Sequence, residues 1–197
     1  MLTVERLSFS YGKKEVLKEL SFSLKDGEIL AVMGPSGCGK TTLLHLIAGL
    51  QDPKKGRVTQ GHVVSNATKT AYVFQEPRLF PWLTVEENLS AVIADRTVSK
   101  EALQAVLSEV ELADAAKLYP SALSGGMKSR VALARALLYG ADLYLLDEPF
   151  AALDQELRER LSALLRKKIK DSGASAIFVT HQQADAEALA DRILELK

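Results

Sequence analysis

Gly34-Pro35-Ser36-Gly37-Cys38-Gly39-Lys40-Thr41-Thr42 is the stretch on which the reading of this 197-residue chain turns. It satisfies G-x-x-x-x-G-K-[ST] and stands in the context that gives the pattern meaning. The apolar run before it, residues 28–33, has the character of a buried strand, and residues 41–48 after it that of a helix ending at Gly49. Glycines let the backbone wrap a polyphosphate closely, so that successive N–H groups and the helix N-terminus face the negative charge. Lys40 is placed to reach the β- and γ-phosphates of a nucleoside triphosphate, and the Thr41 hydroxyl to ligate Mg2+. A glycine-rich turn without a ligand is the competing explanation, and the flanking strand and helix weaken it.

Upstream, residues 2–10 alternate apolar and polar in part, residues 11–14 read as a turn, and residues 19–24 alternate strictly. The opening is therefore expected to be an antiparallel sheet attached to a nucleotide-binding core. Downstream, residues 52–56 (Asp-Pro-Lys-Lys-Gly) break the chain, and residues 57–64 and 70–74 read as strands. Thr84 and Glu87 form a capping-box pattern, residues 99–110 repeat apolar positions at helical spacing, and Ser124 caps a helix reaching residue 139. Residues 78–125 are expected to form a helical lobe inserted into the α/β core. The last third returns to α/β: strand 142–147, amphipathic helix 155–170 with a basic end, strand 174–180, helix 184–190 and strand 192–196.

Composition narrows the classes. With 25 basic and 25 acidic residues the formal net charge is zero, so no overall basic field argues for nucleic acid. The N-terminus lacks the basic and apolar regions of a signal peptide, and the apolar runs at 29–33, 43–50 and 143–146 all fall short of the ~18 residues a membrane span needs. A soluble chain is expected, with any membrane role supplied through a partner. The single Cys38 excludes an intrachain disulfide and fits a reducing compartment, and its thiol holds a variable position of the loop motif. The three histidines, His45, His62 and His181, suggest no metal cluster.

Asp147 and Glu148 close the apolar strand that precedes them. Strand C-termini of a parallel α/β core gather at the ligand crevice, which brings both carboxylates beside the phosphates. Asp147 would then hold Mg2+ through its water shell, and Glu148 would polarise the attacking water. A solvated acidic pair at a strand-to-turn junction is the alternative, and the phosphate loop upstream disfavours it. Leu123-Ser124-Gly125-Gly126-Met127 opens a helix whose bare N–H groups make a second anion site. Taken alone it reads as the N-cap of a packing helix.

In this order the elements resemble the nucleotide-binding subunit of ABC transporters over essentially the whole chain. Tyr11 matches the adenine-stacking aromatic, residues 34–42 the Walker A loop and Gln75 the Q-loop. Leu123 to Met127 match the signature, residues 143–147 with Glu148 the Walker B strand, Ala151-Ala152-Leu153-Asp154 the D-loop, and His181 the switch histidine. The resemblance implies one ABC ATPase domain over residues 1–197: a RecA-like P-loop NTPase core (1–77 and 126–197) with an N-terminal antiparallel β-subdomain and an α-helical subdomain near 78–125. It implies a head-to-tail dimer closed around two ATP molecules. Each nucleotide would lie between the Walker A loop of one subunit and Ser124, Gly125 and Gly126 of the other. Gln75 would sense Mg2+ and the attacking water, His181 would contact the γ-phosphate, and Asp154 would link the two sites.

Two residues depart from the family pattern. Met127 replaces the usual Gln and cannot donate an amide hydrogen bond, so a modest loss of contacts is expected. Gln182 stands where related importers usually carry Asp. The chain stops at Lys197, so neither an appended regulatory domain nor most of the family's further C-terminal strands is expected. Leu79-Phe80-Pro81-Trp82-Leu83 and the run after Asp147 resemble importer ATPases of the nitrate, sulfonate, taurine and thiamine-precursor group. That resemblance implies permease subunits docking near residues 75–89, with Phe80 and Trp82 exposed. It also implies an extracytoplasmic solute-binding protein in the system and a peripheral position on the inner face of the cell membrane. Rival readings are a soluble ABC ATPase acting on nucleic acid or ribosomes, an unrelated P-loop kinase, and a catalytically silent module. The first should carry a coiled-coil insertion or paired ATPase domains, the second an acceptor site in place of residues 123–127, and the third should lack Glu148 and His181.

Overall fold

Three strands of the sequence, apolar but for Asp147 and Ser175 at their ends, are buried on both faces of one sheet. They are β3 (Ile29–Met33), β6 (Leu143–Asp147) and β7 (Ser175–Val179). Their hidden period of two is visible in the packing. Ile29, Ala31, Tyr144, Leu146, Ala176 and Phe178 enter one core, while Leu30, Val32, Leu143, Leu145, Ile177 and Val179 enter the other. A continuous apolar run of this kind is what a doubly covered parallel sheet requires. The computed structural model describes residues 2–51, 57–93 and 98–197, and the expected break at 52–56 lies outside them.

The sheet is completed by β5 (Thr70–Val73) and β8 (Arg192–Glu195) in the order β5-β6-β7-β3-β8, all parallel. On one face lie α1 (Lys40–Ile47) and a three-stranded antiparallel sheet, β2-β1-β4, formed by β1 (Leu2–Tyr11), β2 (Lys14–Leu24) and β4 (Arg57–Ser65). On the other pack α4 (Gly125–Tyr139), α5 (Gln155–Ser172) and α6 (Gln183–Leu189). Between β5 and α4 the chain forms α2 (Val85–Ser90), α3 (Lys100–Glu109) and two single 3-10 turns, Ala113–Ala115 and Pro120–Ala122. The expected capping box is present, with Glu87 accepting from the Thr84 amide at 2.7 Å.

The β1–β2 hairpin is longer than the alternation suggested, because the turn needs only Gly12 and Lys13 and pairing resumes at Tyr11 and Lys14. Bulges interrupt the pattern. Arg6 and Glu19 take left-handed φ of 43° and 46°, and their amides donate to Ser21 Oγ and Ser8 Oγ at 2.8 and 2.9 Å. Extra residues of this kind shift the face of every later side chain, which is why residues 2–10 alternate only in part. Likewise α5 runs two residues past the expected end, stopping at Gly173 in a left-handed cap.

Candidate active site

Because all five core strands run parallel, their C-terminal ends share one rim, the crevice where open α/β sheets bind ligands. β3 delivers the loop 34–39, β5 delivers Gln75, β6 ends in Asp147 and β7 leads to Thr180 and His181. A cleft of about 390 Å3 opens there. Ser36, Gly37, Gly39, Lys40, Thr41 and Thr42 line it from the loop, and Tyr11, Gln75 and Glu148 from three other elements. Nine of the residues singled out by sequence are thus brought together across more than a hundred positions. Lys14, Val16 and Val179 also line the cleft and carry no signal that sequence reasoning could use.

The loop is held by its own atoms. Lys40, largely buried, donates from Nζ to the carbonyls of Gly34 and Pro35 at 2.8 and 2.9 Å, with Cys38 Sγ 4.0 Å away. Gly39 takes φ 102°, and a Cβ there would stand 2.8 Å from both Val16 Cγ1 and Leu17 Cδ2. Conformation and close packing against β2 therefore both demand glycine at the base of α1. Tyr11 is fixed by a hydrogen bond to Gln51 Oε1 at 3.1 Å, an edge-on contact with Phe9, and a hydroxyl 3.4 Å from Thr42 Oγ1.

Burial pushes the Asp147 carboxyl above the ordinary range, opposed by a hydrogen bond with the Thr41 side chain and reinforced by the neighbouring Glu148 charge. Two hard oxygen donors therefore meet at the end of β6 beside a lysine. A small divalent cation fits this set, because it would compensate a buried carboxylate and complete its shell with phosphate and water oxygens. Among the described residues no three His, Cys, Asp or Glu side chains converge into an all-protein metal cage. His45 stands instead against Tyr72 and Phe74, ring centroids 5.6 and 6.5 Å away, and burial lowers its pKa.

Glu148 adopts φ 48°, a left-handed conformation of order 1–3 kcal/mol unfavourable for a non-glycine residue. Backbone bonds hold it there, its N–H on Val179 O at 3.1 Å and its carbonyl accepting from Ala151 N at 3.2 Å. Its Oε1 lies 3.5 Å from His181 Nδ1, and the His181 side chain is 58% exposed against 20% for Glu148. A strained, tightly anchored carboxylate facing an open cleft suits a group that must meet a water molecule in one orientation.

Ser124, Gly125 and Gly126 lie elsewhere, outside the lining of this cleft. Ser124 caps α4 through Met127 N at 3.2 Å, and Gly125 is exposed. A Cβ on Gly126 would come 2.8 Å from the Ala152 carbonyl oxygen, so α4 and the 151–154 turn meet there. Asp154 caps α5, accepting from Leu157 N at 3.0 Å. Met127 packs against the helical core. Gln182 is used within the chain, its Oε1 accepting from Arg158. Sequence reasoning missed Arg158; the signal was its place one helical turn beyond the capping Asp154, on the side carrying the buried Leu157 and Leu161.

A protein-family model described as "ABC transporter" matches residues 17–151. The chain is 42% identical over 195 residues to the aliphatic sulfonates import ATP-binding protein SsuB 2 of Pseudomonas fluorescens, covering 98% of this chain and 72% of that protein. It is 43% identical to SsuB of Yersinia pestis, covering 98% of this chain and 71% of that protein. Among solved structures it resembles the dimeric post-hydrolysis state of the ATP-binding cassette MJ0796 bound to ADP and Pi, with a TM-score of 0.87 and 31% identity over 100% of this chain and 94% of that one. The dimeric structure of MJ0796 as a bacterial ABC transporter cassette matches with a TM-score of 0.86 and 30% identity, at the same coverage.

Proposed function

The chain belongs to the ABC transporter family, and on that premise we propose that it is the ATP-binding and ATP-hydrolysing subunit of a membrane importer for a small solute. The observation that carries the reading is the shared rim, where the phosphate loop, Asp147, Glu148 and His181 meet at the ends of three parallel strands. In the proposed reaction Glu148 accepts a proton from water as its oxygen bonds to the γ-phosphorus and the bond to the ADP oxygen breaks. Lys40 exchanges its loop carbonyls for β- and γ-phosphoryl oxygens, and His181 contacts the γ-phosphoryl group from the end of β7, beside Glu148. Thr41 and Asp147, with Gln75, would hold Mg2+, which when bound neutralises charge developing on the phosphates.

Ser124, Gly125 and Gly126 have no access to the cleft of their own chain, which supports a head-to-tail dimer in which they face a second copy's nucleotide. The two glycines then separate structure from function. Gly126→Ala should overpack against Ala152 O by about 1–3 kcal/mol, lowering Tm by roughly 3–10 °C. Gly125 has open space around its Cβ position. Gly125→Ala should leave Tm within about 1 °C while lowering ATPase activity at least about tenfold, because the added methyl would stand against the partner's phosphate. A Gly125→Ala protein with full activity would argue against the shared site.

Permease docking near residues 75–89 is supported by a groove of about 500 Å3 beside β5 and α4, lined by Phe74, Arg78, Phe80, Ala132 and Arg135 among others. Arg78 lies 4.0 Å over the Phe74 ring, and the neighbouring Trp82 is 69% exposed. No helix among the described residues is long and apolar enough to cross a membrane, so attachment would run through this partner. The test is co-purification from membranes. Wild type should retain a multispanning membrane protein and Arg135→Glu should lose it, while ATP hydrolysis by the purified subunit stays within about twofold. Recovery with ribosomes or nucleic acid instead would favour the soluble-ATPase reading.

A further inference from the structure

We propose that Arg158 is a positioning residue for ATP hydrolysis, tying the loop that carries His181 to the turn that ends in Asp154. The inference rests on the assignment of His181 to the γ-phosphoryl group. The His181 side chain is more than half exposed and touches Glu148 at 3.5 Å, so packing does not aim its ring. Its aim depends on the backbone of residues 180–182, and that backbone is bonded into a polar ring closed by one guanidinium.

Arg158 sits in α5, one turn past the cap, with its side chain only 17% exposed. Nη2 donates to the Leu153 carbonyl at 3.0 Å, Nη1 donates to Gln182 Oε1, and Nε lies 3.8 Å from Asp185 Oδ1. Asp185 is buried and accepts from the Thr180 hydroxyl at 3.2 Å, while the same hydroxyl oxygen accepts from Gln182 N at 3.1 Å. His181 is therefore bracketed by Thr180 and Gln182, both fastened to Arg158 directly or through Asp185. The two terminal nitrogens of the planar fork reach acceptors on two segments at fixed angles while the charge stays beside Asp185, which a lysine ammonium on a flexible stem cannot reproduce. From Leu153 the connection continues to Ala152, whose carbonyl faces Gly126 at the start of α4. One half-buried side chain thus links the switch-histidine loop to the turn that touches the signature helix.

The test is a double-mutant cycle on the purified full chain, with kcat, KM for MgATP and Tm measured for each protein. Arg158→Met should lower kcat by about 10- to 100-fold with KM within about threefold of wild type, and Arg158→Lys should recover little of the loss. In a His181→Ala background the same Arg158→Met change should lower kcat by less than about twofold, because the group it positions is already gone. An equal loss with and without His181, or full kcat in a folded Arg158→Met protein, overturns the proposal. A His181→Ala protein with wild-type kcat overturns the assignment beneath it instead, so the two failures are distinguishable. If Arg158→Met does not fold, Gln182→Leu removes one arm of the fork and keeps the Asp185 pair; it should lower kcat about 3- to 10-fold in the presence of His181 and leave it unchanged in its absence.

Discussion

Glu148→Gln is expected to slow ATP hydrolysis by about 10^2- to 10^4-fold while leaving ATP binding near the wild-type level. The substitution preserves shape, so the φ of 48° and the backbone anchors to Val179 and Ala151 remain. What disappears is the carboxylate on the cleft wall beside His181, since an amide oxygen does not take up a proton at neutral pH. With chemistry blocked and binding intact, the ATP-loaded closed dimer should accumulate. Gel filtration with ATP and Mg2+ should therefore show a dimer for Glu148→Gln that wild type forms only transiently. Turnover within about threefold of wild type would assign the proton to another group and leave Glu148 a structural role at its strained junction.

Much of this site was legible because its residues are confined by backbone geometry. The run from Gly34 to Thr42 announces itself through glycines and a lysine that few other structures need at that spacing, and the apolar strands beside it fix where Asp147, Glu148 and His181 arrive. The twofold and 3.6-fold periods gave the type of nearly every described element. Less legible were features set by pairing over long distances. The bulges at Arg6 and Glu19 depend on hydroxyls fifteen and eleven residues away, and no local pattern marks them. The double function of the 151–154 turn was hidden as well, because Asp154 reads as a family motif and the helix cap appears only once Leu157 N is placed beside it. Gln182 read only as a departure from the Asp of related importers, and the tertiary structure supplies Arg158 as its partner within the chain. Neither residue's neighbour in sequence points to the other.

Asp147→Asn should make the nucleotide-free protein more stable and the enzyme inactive. Burial is the largest influence on this carboxyl and raises its pKa above the unfolded value, outweighing the help of the Thr41 hydrogen bond. An acid whose folded pKa is raised opposes folding once the pH passes its unfolded pKa of about 3.9, and the penalty is complete above its folded pKa. At pH 7.5 wild type carries the whole penalty and the asparagine variant carries none. The variant should therefore melt higher in EDTA, by about 2–4 °C for each kcal/mol relieved, and its advantage should shrink as the pH is lowered toward 4. The same substitution removes the charge that the proposed cation answers, so hydrolysis should fall at least about a hundredfold and MgATP should raise the melting temperature less than it does for wild type. A lower melting temperature for the variant at pH 7.5 would mean that Thr41 and Lys40 already compensate the carboxylate fully. No stability would then be sacrificed at the end of β6, and the argument that this carboxylate is kept ready for a cation at a cost in folding would fall.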